Sequence, residues 1–119
     1  MIPSEVYVKL TALFPEFTGY WDSPDNYFRD DDGSFTLCGV FAQLSHFVKE
    51  RAAHLQPSSL DELGVFIEQW LELPPGSELR NAIDACFLEN VAAEEFTPLL
   101  AAHFGSRARE VLSYYGPAA

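Results

Sequence analysis

Three adjacent carboxylates and a glycine, Asp30-Asp31-Asp32-Gly33, are the residues that most invite metal chemistry. A calcium loop of the EF-hand type needs oxygen ligands at positions 1, 3 and 5, glycine at 6 and glutamate at 12. Setting Gly33 at position 6 places Asp32 and Asp30 correctly, but puts Phe28 at position 1 and Gly39 at position 12. That register excludes an EF-hand and leaves a solvated acidic turn ahead of a helix, where negative charge favours the positive end of the helix dipole.

A second constellation is His46, Glu50 and His54, spaced by four residues along one helix stripe. The two histidines stand about 12 Å apart along the axis, at 1.5 Å of rise per residue. One ion cannot bridge both, so a polar helix face is the expectation. No serine sits in a nucleophile elbow, no cysteine in a catalytic signature, and the seven glycines are scattered rather than gathered in a phosphate loop. No metal, cofactor or catalytic residue is therefore expected.

The strongest signal is compositional. Residues 15–35 hold Phe17, Tyr20, Trp21, Tyr27, Phe28 and Phe35, six of the seventeen aromatics, and six of the eighteen acids. Aromatic anchors inside a charged rim are the makings of a protein-binding patch. The expected binding residues are Tyr20, Trp21 and Tyr27 as anchors, with Asp22, Asp25, Asp30, Asp31 and Asp32 around them. The competing expectation is that the aromatics pin a long loop to the core, above all Phe17, Phe28 and Phe35.

Elements on either side must position this segment. Val6, Leu10, Leu13 and Phe14 share one face of a helix over 4–14, closed by Pro15. A second helix begins at Ser34 or Thr36 and carries Leu37, Val40, Phe41, Leu44, Phe47 and Val48 at helical spacing as far as about Leu55. Ser59-Leu60-Asp61-Glu62 reads as a capping box for a third. Pro74-Pro75-Gly76 ends it, and Ser77 caps a fourth. Thr97-Pro98 opens a short fifth, and Ser106 a sixth. The segment between, 15–35, holds breakers at Pro15, Gly19, Pro24 and Gly33 and is expected to be irregular. Asp32-Gly33 is a turn signal that would pair 26–30 with 34–37 in a short hairpin. The whole reads as one all-α domain of about six helices in antiparallel pairs, spanning 1–119. Leu10, Phe41, Leu44, Phe66, Ile67, Ile83 and Phe87 are expected in its core.

Composition bounds the partners. Eighteen acids against seven lysines and arginines give a net charge of −11. That balance opposes binding nucleic acid through its phosphates and docking on an anionic membrane. It favours a basic protein partner, toward which the field would steer association. The N-terminus lacks a basic stretch followed by an apolar one, and no apolar run approaches a membrane span. Cys38 and Cys86 lie in apolar helical patterns and are expected to be free, buried thiols in a cytoplasmic protein.

Phe66-Ile67-Glu68, Arg80-Asn81-Ala82, Phe87-Leu88-Glu89 and Gly105-Ser106-Arg107, within residues 63–115, resemble a family of small, uncharacterised, all-helical bacterial proteins of immunity-like type. The resemblance implies a helical fold and a role beside toxins, and supplies no catalytic residues. The function expected is a non-enzymatic acidic protein-binding module, an immunity-type inhibitor being one form. The alternatives are an enzyme using the acidic 20–32 segment on a small molecule or divalent metal, and a structural subunit of a homo-oligomer.

Overall fold

The computed structural model describes residues 1–116. The polypeptide forms seven helices and, among the described residues, no strand. We label them α1 (Pro3–Leu13), α2 (Phe17–Trp21), α3 (Leu37–Arg51), α4 (Pro57–Trp70), α5 (residues 78–91), α6 (Thr97–Ala101) and α7 (Ser106–Tyr115). The all-α expectation holds. The additional helix is α2, a short turn inside the segment expected to be irregular. It forms because Phe17 and Trp21, four apart, share one face and are both buried.

Helix α3 runs through the middle. Thr36 caps it, its hydroxyl accepting from the Gly39 amide at 3.0 Å. The face expected to be apolar is buried throughout, and so are Gln43 and Ser45 on its other flank. Both donate within the protein: Gln43 Nε2 to the Tyr20 carbonyl at 3.0 Å and Ser45 Oγ to the Ala42 carbonyl at 2.6 Å. A 3₁₀ turn, Ala52–His54, finishes the helix before Pro57.

Helix α5 packs along α3. It is α-helical over Glu78–Ala82, widens to π-helix over Ile83–Leu88 and returns to α at Glu89–Val91. The wide turn buries Ile83, Phe87 and Leu88 together, and Phe87 meets Phe41 of α3 at 6.4 Å between ring centroids. Cys86, in the same turn, is disulfide-bonded to Cys38 in the first turn of α3. This corrects the free-thiol expectation: Cys38 is exposed and Cys86 half-buried, so neither serves as a buried small hydrophobe.

Three local expectations also change. Helix α4 starts at Pro57, two residues before the capping-box serine, because proline already suits the first helical turn. Thr97 does not cap α6: Phe96 holds that position, and the Thr97 hydroxyl donates to the Val91 carbonyl. Phe66 is half-buried, stacked on Trp70 at 5.4 Å with the Lys9 ammonium over its ring at 5.3 Å. Leu10, Phe41, Leu44, Ile67, Ile83 and Phe87 are fully buried as expected.

The N-terminus of α7 is served from another helix. Glu68 of α4 accepts from the Arg107 amide at 3.0 Å and the Ala108 amide at 3.4 Å. A carboxylate on these amides satisfies two otherwise orphaned donors and meets the positive dipole end. Nearby, Gly64 of α4 lies against the His103 carbonyl, where an added Cβ would stand 2.2 Å from the oxygen.

Two stability outcomes follow. Gly64→Ala should destabilise the fold by about 2 kcal/mol or more, because main chain cannot yield as a side chain does. Replacing both cysteines by serine should remove about 4 kcal/mol of chain-entropy stabilisation, given a closed loop with a sequence separation of 48. Denaturant midpoints of the variants and of reduced wild-type protein measure both. A reduced protein as stable as the oxidised one would contradict the second.

Candidate functional site

Two surface regions carry polar chemistry: the acidic loop between α2 and α3, and a cleft between α5 and α7.

The loop is pinned at its base. The Trp21 side chain, 3 % exposed, lies edge-on to Phe35 at 4.8 Å and beside Tyr7 at 5.6 Å. Tyr20 is half-buried, its ring edge-on to Phe47 at 5.0 Å and its hydroxyl donating to the Glu50 carboxylate. That bond, helped by burial, raises the Tyr20 pKa above its ordinary value, since ionisation would set an anion against an anion. Glu50 is therefore committed to Tyr20, and His46 faces the Phe28 ring at 5.9 Å. His46 and Glu50 thus find different neighbours within the protein.

Asn26 locks the middle of the loop. It is buried; its Nδ2 donates to the Trp21 carbonyl at 2.8 Å and its Oδ1 accepts from the Phe28 amide at 3.0 Å. Beyond it the chain makes a one-pair hairpin rather than the longer ladder. Arg29 pairs with Phe35, the Asp30 amide donates to the Ser34 carbonyl at 2.9 Å and the Gly33 amide to the Asp30 carbonyl at 2.8 Å. Gly33 has φ +86°, the left-handed conformation that closes such a turn.

The aspartates divide by role. Asp22 pairs with Arg29 at 3.1 Å. Asp30 Oδ2 and Asp32 Oδ1 lie 3.1 and 2.6 Å from the Ser34 hydroxyl. Asp32 also accepts from the Ser34 amide at 2.9 Å. The Ser34 hydroxyl and amide hold the Asp32 carboxyl below its ordinary pKa. Asp25 and Asp31 point to solvent with the rest of the rim exposed. Of the three aromatics expected as anchors, Tyr27 stands on the surface, 89 % exposed, with Phe28 beside it at 37 %. No group of three His, Cys, Asp or Glu among the described residues converges on a metal position.

The second region was not singled out by sequence. A cleft of about 360 Å³ opens between α5 and α7, floored by Leu71 at the end of α4. Helix α5 contributes Arg80 and Asp84, one turn apart, and α7 contributes Val111, Tyr114 and Tyr115. The Tyr115 hydroxyl donates to Asp84 Oδ1 at 2.6 Å, and this bond to a carboxylate pushes the Tyr115 pKa up to about 12. Arg80 Nη1 donates to the Leu73 carbonyl at 2.9 Å. The sequence signal that could have found the cleft is the Arg80–Asp84 pair at helical spacing, facing a C-terminal Tyr-Tyr.

Truncating the two kinds of aromatic should separate them. Trp21→Ala should cost about 3–5 kcal/mol of folding stability, as for a large core side chain. Tyr27→Ala should change stability by no more than about 0.5 kcal/mol. Thermal melts of the pair decide it; equal losses would mean that Tyr27 is packed.

The titrations have opposite signs. Asp32, lowered in the folded state, contributes stability above its unfolded pKa near 3.8 and loses it as pH falls through the folded value. Tyr115, raised, contributes stability below its unfolded pKa near 10 and loses it as pH rises toward about 12. The Ser34 amide shift should follow the acid limb, and Tyr115 should be among the last tyrosines to ionise in ultraviolet difference spectra.

No curated protein and no solved structure shows significant similarity to this chain. A family match covers residues 7–114, from within α1 almost to the end of α7, and so takes in the loop, the disulfide and all of the cleft but Tyr115. The chain belongs to the family described as domain of unknown function DUF7674.

Proposed function

We propose that the protein is a non-enzymatic binding module that engages a basic protein partner through the loop between α2 and α3. One observation carries the reading. Tyr27 is held almost wholly in solvent by a loop that is itself fixed by Asn26, Trp21 and the hairpin turn. An exposed aromatic on an ordered segment loses little conformational freedom on binding and can fill a partner's pocket.

Phe28 extends the apolar contact, and Asp22, Asp25, Asp30, Asp31 and Asp32 surround it. Their charge adds to a net −11 for the chain, a field that favours encounter with a cationic surface. Tyr20 and Trp21 support the loop from beneath. An immunity-type inhibitor masking a basic toxin is the finer form of this reading. The acidic rim alone would serve an enzyme poorly, because Asp22, Asp30 and Asp32 bond to Arg29 and Ser34 while Asp25 and Asp31 point to solvent, rather than converging on a substrate position.

The test is capture of a partner from the source lysate, followed by kinetics with purified protein. Tyr27→Ala should raise the off-rate and cost roughly 2 kcal/mol of binding. Changing Asp25, Asp31 and Asp32 together to asparagine should mainly slow association and flatten its salt dependence. A partner bound equally well by both variants would place the interface elsewhere.

A further inference from the structure

The cleft between α5 and α7 has a chemistry that the loop reading does not use. Arg80 and Asp84 sit one turn apart on α5, a spacing at which opposite charges ordinarily pair. They do not pair. Arg80 makes no ion pair within 4.0 Å among the described residues. Its guanidinium, half-buried, is steadied by the Leu73 carbonyl through Nη1, which leaves most of its five-donor fork for another acceptor. Asp84 is steadied by the Tyr115 hydroxyl through Oδ1, which leaves Oδ2. Arg107, across the cleft, is already occupied by Glu68 and Glu72 at 3.4 and 3.1 Å.

The cleft therefore presents one uncommitted cation, Arg80, and the free edge of Asp84 about a helical turn away, above an apolar floor of Leu71 and Val111, with the Glu110 carboxylate also lining it. Tyr114, 82 % exposed, forms one wall. Asp84 also lies in the first turn of the π-helical stretch of α5, a distortion that often marks functional positions. A volume of about 360 Å³ lies at the small end of ligand sites. A lone anion would meet Asp84 and Glu110, and a lone cation would meet Arg80. A ligand carrying both charges close together satisfies both.

We propose that this cleft binds a free α-amino acid with an apolar side chain, its carboxylate on the Arg80 fork, its ammonium on Asp84 and its side chain on Leu71 and Val111. The assignment is independent of the acidic loop.

The probe is L-leucine, added to the ¹⁵N-labelled protein and followed by amide shifts. A ligand of this size should saturate at about millimolar concentration. The shifts should cluster at residues 71, 80, 84, 111 and 114. L-leucinamide, which lacks the carboxylate, and N-acetyl-L-leucine, which lacks the ammonium, should each bind at least about tenfold more weakly, and a loss on that scale is what removing a charged hydrogen-bond partner produces. These two probes also stand for the N- and C-termini of a peptide. Arg80→Gln and Asp84→Asn should weaken leucine similarly, whereas Tyr27→Ala should leave it unchanged. The analogue comparison uses wild-type protein and stands even if Arg80→Gln misfolds. Either analogue binding as tightly as leucine, shifts centred outside the cleft, or no saturation at about ten times the expected concentration would overturn the assignment.

Discussion

The contact between α3 and α5 is the constraint on which the rest of the molecule depends. Helix α3 is buried on most of its circumference, and α5 supplies its largest neighbour. Phe87 meets Phe41 from within the π-helical turn, which buries Ile83, Phe87 and Leu88. The turn also carries Cys86 to Cys38, so a covalent tie fixes the start of α3 against α5. The segment N-terminal to Cys38 is held by the aromatic cluster of Tyr7, Phe17, Trp21 and Phe35 and by the packing of Phe14, Phe17 and Tyr20 on Phe47 of α3.

The acidic loop illustrates how order and exposure coexist. Five carboxylates within eleven residues repel one another, and a free chain of this composition would not hold one shape. Here the repulsion is offset locally. Arg29 neutralises Asp22, Ser34 donates to its acidic neighbours, and buried Asn26 ties the loop to the end of α2. The price of a fixed loop is carried by side chains beneath it, which leaves Tyr27 and the outward aspartates unburdened.

Polar satisfaction across helices recurs. Glu68 reaches from α4 to the first amides of α7, Asn90 of α5 donates to Ser45 Oγ of α3 at 3.3 Å, and Gln43 holds the end of α2. A Glu68 substitution would therefore loosen a helix that supplies five of the residues lining the α5–α7 cleft. Arg80, the half-buried cation in that cleft, makes no ion pair among the described residues.

The sequence by itself determined the helical class and most of the core. Period-3.6 apolar spacing through Leu37–Val48, together with the Thr36 and Ser77 caps and the proline breaks, depends only on local backbone geometry, and local geometry is written in neighbouring residues. It also located the acidic aromatic loop by composition. Three things were decided only by tertiary structure. Which aromatics of the loop face the core depends on the distant Tyr7 and Phe47, so Trp21 and Tyr27, alike in sequence context, part at 3 % and 89 % exposure. The Cys38–Cys86 bond depends on how α3 and α5 cross, a distance that no spacing of 48 residues encodes. The α5–α7 cleft arises because the helix that holds Arg80 and Asp84 meets one whose start is fixed by Glu68, thirty-nine residues before Arg107. Such long-range contacts are set by how whole faces pack, and a face's partner is not marked on the face.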